Sequence, residues 1–158
     1  MASLWCSERK RYETRNWRCS HRGWLLVHAG KHFEKNFELN NPFRRILDAE
    51  FGTDWALELP TGAFIGMVHL ADCAPTELLL GDAAVNDERE CGDFSAGRFG
   101  WKSDEFRIFD QPIPYRGAQG FFNAPDDVIP ICVWGAGERP EKHSRNMRLR
   151  SDARGGSE

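Results

Sequence analysis

The sequence predicts an α+β fold, a small and mostly β barrel with helices packed at its openings. Three observations carry that expectation. The chain has 158 residues, 41% hydrophobic and 28% charged, which suits one globular domain able to bury roughly two thirds of its unfolded surface. Its apolar residues fall in short runs, several of them alternating, with few stretches of helical period. Fifteen Gly and eight Pro punctuate those runs, as the turns between short strands require.

Residues 2–9 suit a short helix, and residues 12–17 then alternate as a strand does, with Glu13, Arg15 and Trp17 on one face and Tyr12, Thr14 and Asn16 on the other. Gly23 breaks that pattern, and residues 24–29 are apolar enough for a buried strand. Pro42 opens a helix whose apolar stripe is Phe43, Ile46, Leu47 and Phe51, ended by Gly52. The turn Pro60-Thr61-Gly62 resets direction. Residues 63–72 read as a long strand, 76–90 as an acidic and partly helical excursion, and 98–109 as one or two strands around Ser103-Asp104. A loop over 112–120 and a last short strand over 120–123 complete the domain, taken as residues 1–137. Residues 138–158 carry Arg139, Lys142, Arg145, Arg148, Arg150 and Arg154 with little that is apolar, so they are expected to form a flexible tail.

The five cysteines are odd in number, widely spaced and without a CxxC, a pattern that fits a reducing, cytoplasmic setting better than a disulfide framework or a zinc ribbon. No apolar run approaches the length of a membrane span and no secretory leader pattern opens the chain. The net charge of -3 hides a segregation. Residues 1–31 hold seven Lys or Arg against two acids, a net of +5, whereas residues 48–94 hold eleven acids against Arg89 alone, a net of -10. A cationic end of this kind can hold a polyanion locally, although two solvated faces would give the same count.

Within that end, Lys10-Arg11-Tyr12-Glu13-Thr14-Arg15-Asn16-Trp17-Arg18 and then Arg22-Gly23-Trp24 interleave cations with rings. Arginine presents a planar fork to phosphate oxygens, and an indole presents a face on which an unpaired base stacks for roughly 1–3 kcal/mol. The mixture suits single-stranded nucleic acid, and the competing account is that Trp17 and Trp24 fill the core. Gly30-Lys31-His32 lacks the spacing and hydroxyl of a phosphate-binding loop. His28 and His32 stand four apart beside strand-like residues, and His69, Asp72 and Cys73 alternate faces, so packing accounts for both better than a metal does and no metal ligand is assigned.

Lys10-x-x-Glu13-x-Arg15, Trp17-Arg18, Arg22-Gly23 and Leu25-Leu26-Val27-His28-Ala29 resemble the signature of the ASCH domain, named for activating signal cointegrator homology. Leu59-Pro60-Thr61-Gly62-Ala63-Phe64-Ile65-Gly66, Gly97-Arg98-Phe99-Gly100-Trp101 and Pro112-Ile113-Pro114-Tyr115-Arg116-Gly117-Ala118-Gln119-Gly120 resemble later segments of that family in the right order, so the likeness covers residues 2 to about 127. It implies a barrel of the PUA type with a cleft between barrel and helices, and an association with RNA. Members include coactivator-linked binding modules, hydrolases of the acetyl amide of N4-acetylcytidine, and metal-dependent ribonucleases; fold transfers across such a family and chemistry does not. Two departures stand out. Glu8 occupies the position of a usual Gly, which argues against a left-handed helix end there. The family's first strand, with its Pro-Trp pair, precedes the segment matching Ala2-Ser3-Leu4, and Met1 stands where that Trp would be, so the first strand is expected to be missing. Either the natural start lies upstream, or an open sheet edge needs cover.

On this reading Lys10 and Glu13 converge as an acid and base, with Arg15 clamping a phosphate, in a ribonuclease or an acetylcytidine amidohydrolase. The amidohydrolases share the Lys but carry Thr at the position of Glu13. A nonenzymatic module would instead hold single-stranded RNA or a modified nucleoside through Arg15, Arg18 and Arg22, with Trp17, His28 and Trp101 in the cleft. No cofactor is expected, apart from a divalent metal in the ribonuclease case. Tyr12, Thr14 and Ser95 are cleft candidates by family position alone. A protein-interaction domain using residues 82–93 is the third class, with no partner indicated.

Overall fold

The computed structural model describes residues 2–31, 42–124 and 128. Its centre is a ribbon of two long antiparallel strands, β3 (Ala63–Pro75) and β4 (Phe99–Pro114), paired from Ala63 opposite Pro114 to Pro75 opposite Phe99. Two shorter strands flank opposite ends of that ribbon. β1 (Tyr12–Arg15) pairs with the first residues of β4, and β2 (Gly23–Ala29) pairs with the first half of β3, giving the order β1-β4-β3-β2. Among the described residues this α+β sheet does not close: β1 and β2 are its two edges. At the β1 edge the Glu88 carboxylate accepts from the Arg11 and Tyr12 amides, and the Thr14 hydroxyl accepts from the Asp93 amide.

The ribbon is irregular at intervals. Register shifts fall between Phe64 and Gly66, His69 and Leu70, and Leu70 and Asp72 on β3, and between Val27 and His28 on β2. Each inserted residue bends its strand and adds twist. The segment around Ser103-Asp104 is therefore one strand with an irregularity, which from sequence looks equally like two strands. Residues 112–114 belong to β4, whereas the short strand expected over 120–123 is absent; Phe121 and Phe122 pack from a loop.

α1 (Ala2–Cys6) joins two apolar clusters. Trp5 and Cys6 pack with Leu25, Val27, Ile65, Val68, Leu70 and Trp101, while Leu4 packs with Leu47 of α2 (Pro42–Phe51), Trp55 of α3 (Trp55–Glu58) and Cys91. Gly66 makes the first contact possible, because a Cβ there would stand 2.3 Å from the Arg107 carbonyl oxygen and 2.8 Å from the Cys6 sulfur. A third cluster gathers Phe64, Leu26, Phe109, Ile113, Tyr115 and Phe122. The acidic excursion folds as two one-turn 3-10 helices around α4 (Ala83–Glu88), capped by the Asp82 side chain on the Ala84 amide.

Cys6, Cys19, Cys73 and Cys91 are free and buried. Burial pushes the Cys6 thiol up to about 12, so it behaves as a small apolar side chain rather than a nucleophile. Among the described residues no helix is long and apolar enough to cross a membrane. Cys132, His32, the boundary at Gly137 and the tail 138–158 lie outside the described residues.

Candidate functional site

The end of α1 delivers the site's central cation. Ser7 and Lys10 donate backbone hydrogen bonds to the Ser3 and Leu4 carbonyls, and Glu8 between them takes a left-handed φ of 64°. The helix end expected to be lost with glycine is therefore made by a glutamate, at a cost of about 1–2 kcal/mol. The turn sends Lys10 inward to 1% exposure, where its Nζ donates to Glu13 Oε2. Glu13 lies on β1, its side chain 8% exposed, and its other oxygen, Oε1, pairs with the Arg15 guanidinium at 2.7 Å. One carboxylate thus bridges a buried cation and a half-exposed one. The Glu88 carboxylate, close enough to Lys10 to feel its charge, is raised above the usual carboxylate range by burial, partly offset by the two amides that it accepts from and by Lys10.

Beside this network a cleft of about 540 Å³ opens along the sheet between β1, β2 and residues 118–124. Glu13 and Arg15 supply its charged wall. Trp17, Trp101 and Phe121 supply a ring wall: Trp101 and Phe121 stack at 5.3 Å with 25° between planes, and Trp17 stands edge-on to both at 4.5 and 5.3 Å. The Trp101 indole donates to the Trp17 carbonyl, which fixes the loop after β1 against β4. Trp17 remains 38% exposed. The far end is apolar, with Phe64 and Phe122 at 5.3 and 5.8 Å from His28, whose Nε2 meets the Tyr115 carbonyl oxygen at 2.9 Å.

Of the residues singled out from sequence, Glu13, Arg15, Trp17, His28 and Trp101 line one cleft. Lys10 touches the cleft only through Glu13. Arg22 turns elsewhere, to Asp72 at 3.1 Å and the Cys19 carbonyl, and Arg18 is exposed outside the lining. The three further candidates also lie outside it: the Tyr12 hydroxyl donates to Asp82, Thr14 accepts from Asp93, and Ser95 donates its amide to Asp93. Trp24 packs neither in the core clusters nor in the cleft; its ring meets His69 and carries the Arg107 guanidinium at 5.1 Å.

Phe121, Phe122 and Gln119 were not anticipated as lining. The adjacent phenylalanines after Gly117 and Gly120 were the available signal, since two consecutive large rings in a loop need separate apolar contacts. Gly117 allows this loop to approach, because a Cβ there would meet the His28 ring at 2.4 Å.

A surface with one fixed carboxylate, one guanidinium and a ring wall can accept a hydrogen-bond donor, pair with an anion and stack a flat heterocycle at once. No family model matches the chain, and no curated protein matches it, so the likeness to the ASCH family rests on the quoted residues alone.

Proposed function

We propose that this chain is an RNA-binding protein of the ASCH type, its open sheet being the major part of a PUA-like barrel, and that its cleft takes one unstacked base of a single strand. The observation that carries this reading is the juxtaposition of the Glu13–Arg15 pair with the Trp17–Trp101–Phe121 rings in one cleft of about 540 Å³. That volume is ordinary for a small-ligand site. A base slides against the exposed Trp17 ring, its exocyclic amine donates to Glu13, and Arg15 meets the adjoining phosphate. Arg22 lies outside the cleft lining, turned to the Cys19 and His21 carbonyls and Asp72, so Arg15 on the cleft wall and the exposed Arg18 are the two phosphate contacts.

Fluorescence anisotropy with labelled single-stranded RNA tests this directly. With two phosphate contacts the log-log salt slope is near -1.4, at about -0.7 per contact. Trp17→Ala weakens binding by roughly 1–3 kcal/mol. A flat salt response, or equal affinity for the Trp17 variant, overturns the reading.

A hydrolytic role is the second reading, favoured by the buried Lys10–Glu13 contact at the cleft wall. Glu13 would take a proton from water as the hydroxide attacks an amide carbonyl, and return it to the departing amine as the carbon–nitrogen bond breaks, while Lys10 stabilises the carboxylate from behind. Incubation with N4-acetylcytidine and with single-stranded RNA, each with and without manganese, separates a deacetylase and a nuclease from a passive binder.

A further inference from the structure

On the outer face of the sheet, His69, Asp104 and Glu105 bring three ligand atoms within 4.8 Å of one another. We propose that they form a binding site for a divalent first-row metal ion of the zinc type, independent of the cleft. Sequence spacing pairs His69 with Asp72 and Cys73, yet Asp72 binds Arg22 and Cys73 is buried beside the Cys19 amide. The true neighbours come from β4. His69 faces Glu105 across the ribbon, the next matched pair is Leu70 with Ser103, and Asp104 is the extra residue between them. An unpaired residue of this kind re-aims a side chain, and here Asp104 reaches His69 Nδ1 at 2.7 Å.

The donor set is one imidazole and two carboxylates, suited to zinc and its neighbours, with waters completing the coordination. Bonds of about 2.1 Å at angles of 90–109° place neighbouring donor atoms roughly 3.0–3.4 Å apart. An ion entering between His69 Nδ1 and Asp104 Oδ1 therefore asks for a separation only a few tenths of an ångström wider than the present 2.7 Å, and the exposed Glu105 side chain, its carboxylate within 4.8 Å of both, closes the remaining distance by turning inward. The His69 ring is steadied by Trp24 at 5.5 Å between centroids. The charge balance also favours a cation. Glu105 has no ion-pair partner among the described residues, and the nearby Arg107 guanidinium lies over the Trp24 ring instead of pairing with either acid. The two carboxylates and the imidazole come from the paired central strands, so side-chain adjustment alone gathers them about an ion.

The test is isothermal titration of the full chain with Zn2+, alongside histidine side-chain nitrogen NMR. The expected result is one equivalent bound with the His69 imidazole nitrogens shifting, at least tenfold weaker binding in Asp104→Asn and Glu105→Gln, and loss of that equivalent in His69→Ala. Circular dichroism confirms that each variant is folded, and the exposed Asp104 and Glu105 are tolerant of such changes. Unchanged stoichiometry and affinity in a folded His69→Ala/Asp104→Asn/Glu105→Gln protein, shifts confined to other histidines, or no binding at a tenfold excess of Zn2+ would each overturn the assignment.

Discussion

Replacing Glu13 by glutamine probes the buried network most sharply, because the two cations that share its carboxylate have different ways out. Lys10 is 1% exposed, so without Glu13 its ammonium is stranded; Arg15 is half-exposed and returns to water. Removing one partner of a buried pair costs about 3–5 kcal/mol, and the low end applies because Glu88 still offsets part of the Lys10 charge. Lys10→Met is milder, at about 1–3 kcal/mol, since the remaining carboxylate keeps its 2.7 Å contact with Arg15. The double variant Lys10→Met/Glu13→Gln leaves no stranded charge, so it is expected to be more stable than Glu13→Gln alone. Denaturant unfolding measures all three, and calorimetry should show Glu13→Gln melting roughly 9–12 °C lower, from about 3–4 kcal/mol at about 3 °C per kcal/mol. A Glu13→Gln cost below about 1 kcal/mol, or a double variant whose cost is the sum of the two singles, would refute the picture of a confined lysine.

Three further outcomes follow from single residues. Glu88 binds its proton more tightly folded than unfolded, so its contribution is fully present below the unfolded pKa of about 4.3 and is lost as pH rises through the higher folded value; denaturant midpoints between pH 4 and 7 should therefore fall less steeply in Glu88→Gln. Glu8→Gly relieves the left-handed φ of 64° and gives up only the surface pair with Arg11, so a gain of several tenths to about 1 kcal/mol is expected in thermal unfolding, and a loss would contradict the strain. Gly66→Ala drives a methyl into the Arg107 carbonyl and the Cys6 sulfur, costing about 1–3 kcal/mol or more by urea titration, and a neutral result would mean that α1 can shift freely on the sheet.

Local chemistry made much of the fold legible. Pro42 and Gly52 bracket α2 because one fixes φ at a helix start and the other takes a φ of 78° past its end. The alternation of Tyr12, Glu13, Thr14 and Arg15 marks β1, though packing leaves Tyr12, Glu13 and Thr14 all buried, so the two faces do not divide into wet and dry. What sequence could not express was long-range register. The irregularity at Asp104 comes from the pairing of β4 with β3, and the cleft's ring wall combines Trp17, Trp101 and Phe121 from segments far apart in the chain. Local pattern likewise marked Arg15, Arg18 and Arg22 as equivalent cations, whereas the partners Glu13 and Asp72 separate the first from the last.

The Lys10–Glu13 pair makes better sense as positioning than as stabilisation. A buried ion pair returns little net stability, since desolvation consumes most of the attraction, and two apolar side chains of similar volume would serve the core as well or better. What an apolar pair cannot do is hold a carboxylate at a fixed orientation on a cleft wall. Lys10 fixes Oε2 from the protein side and Arg15 fixes Oε1 from the solvent side, so Glu13 meets an incoming donor without losing rotamer freedom at that moment. On the proposed RNA-binding role, Lys10→Met should accordingly weaken RNA binding even where folding is restored by lower temperature, while leaving the salt slope unchanged, because the lysine contributes no phosphate contact of its own. A slope that falls with Lys10 would mean instead that its ammonium reaches the strand directly.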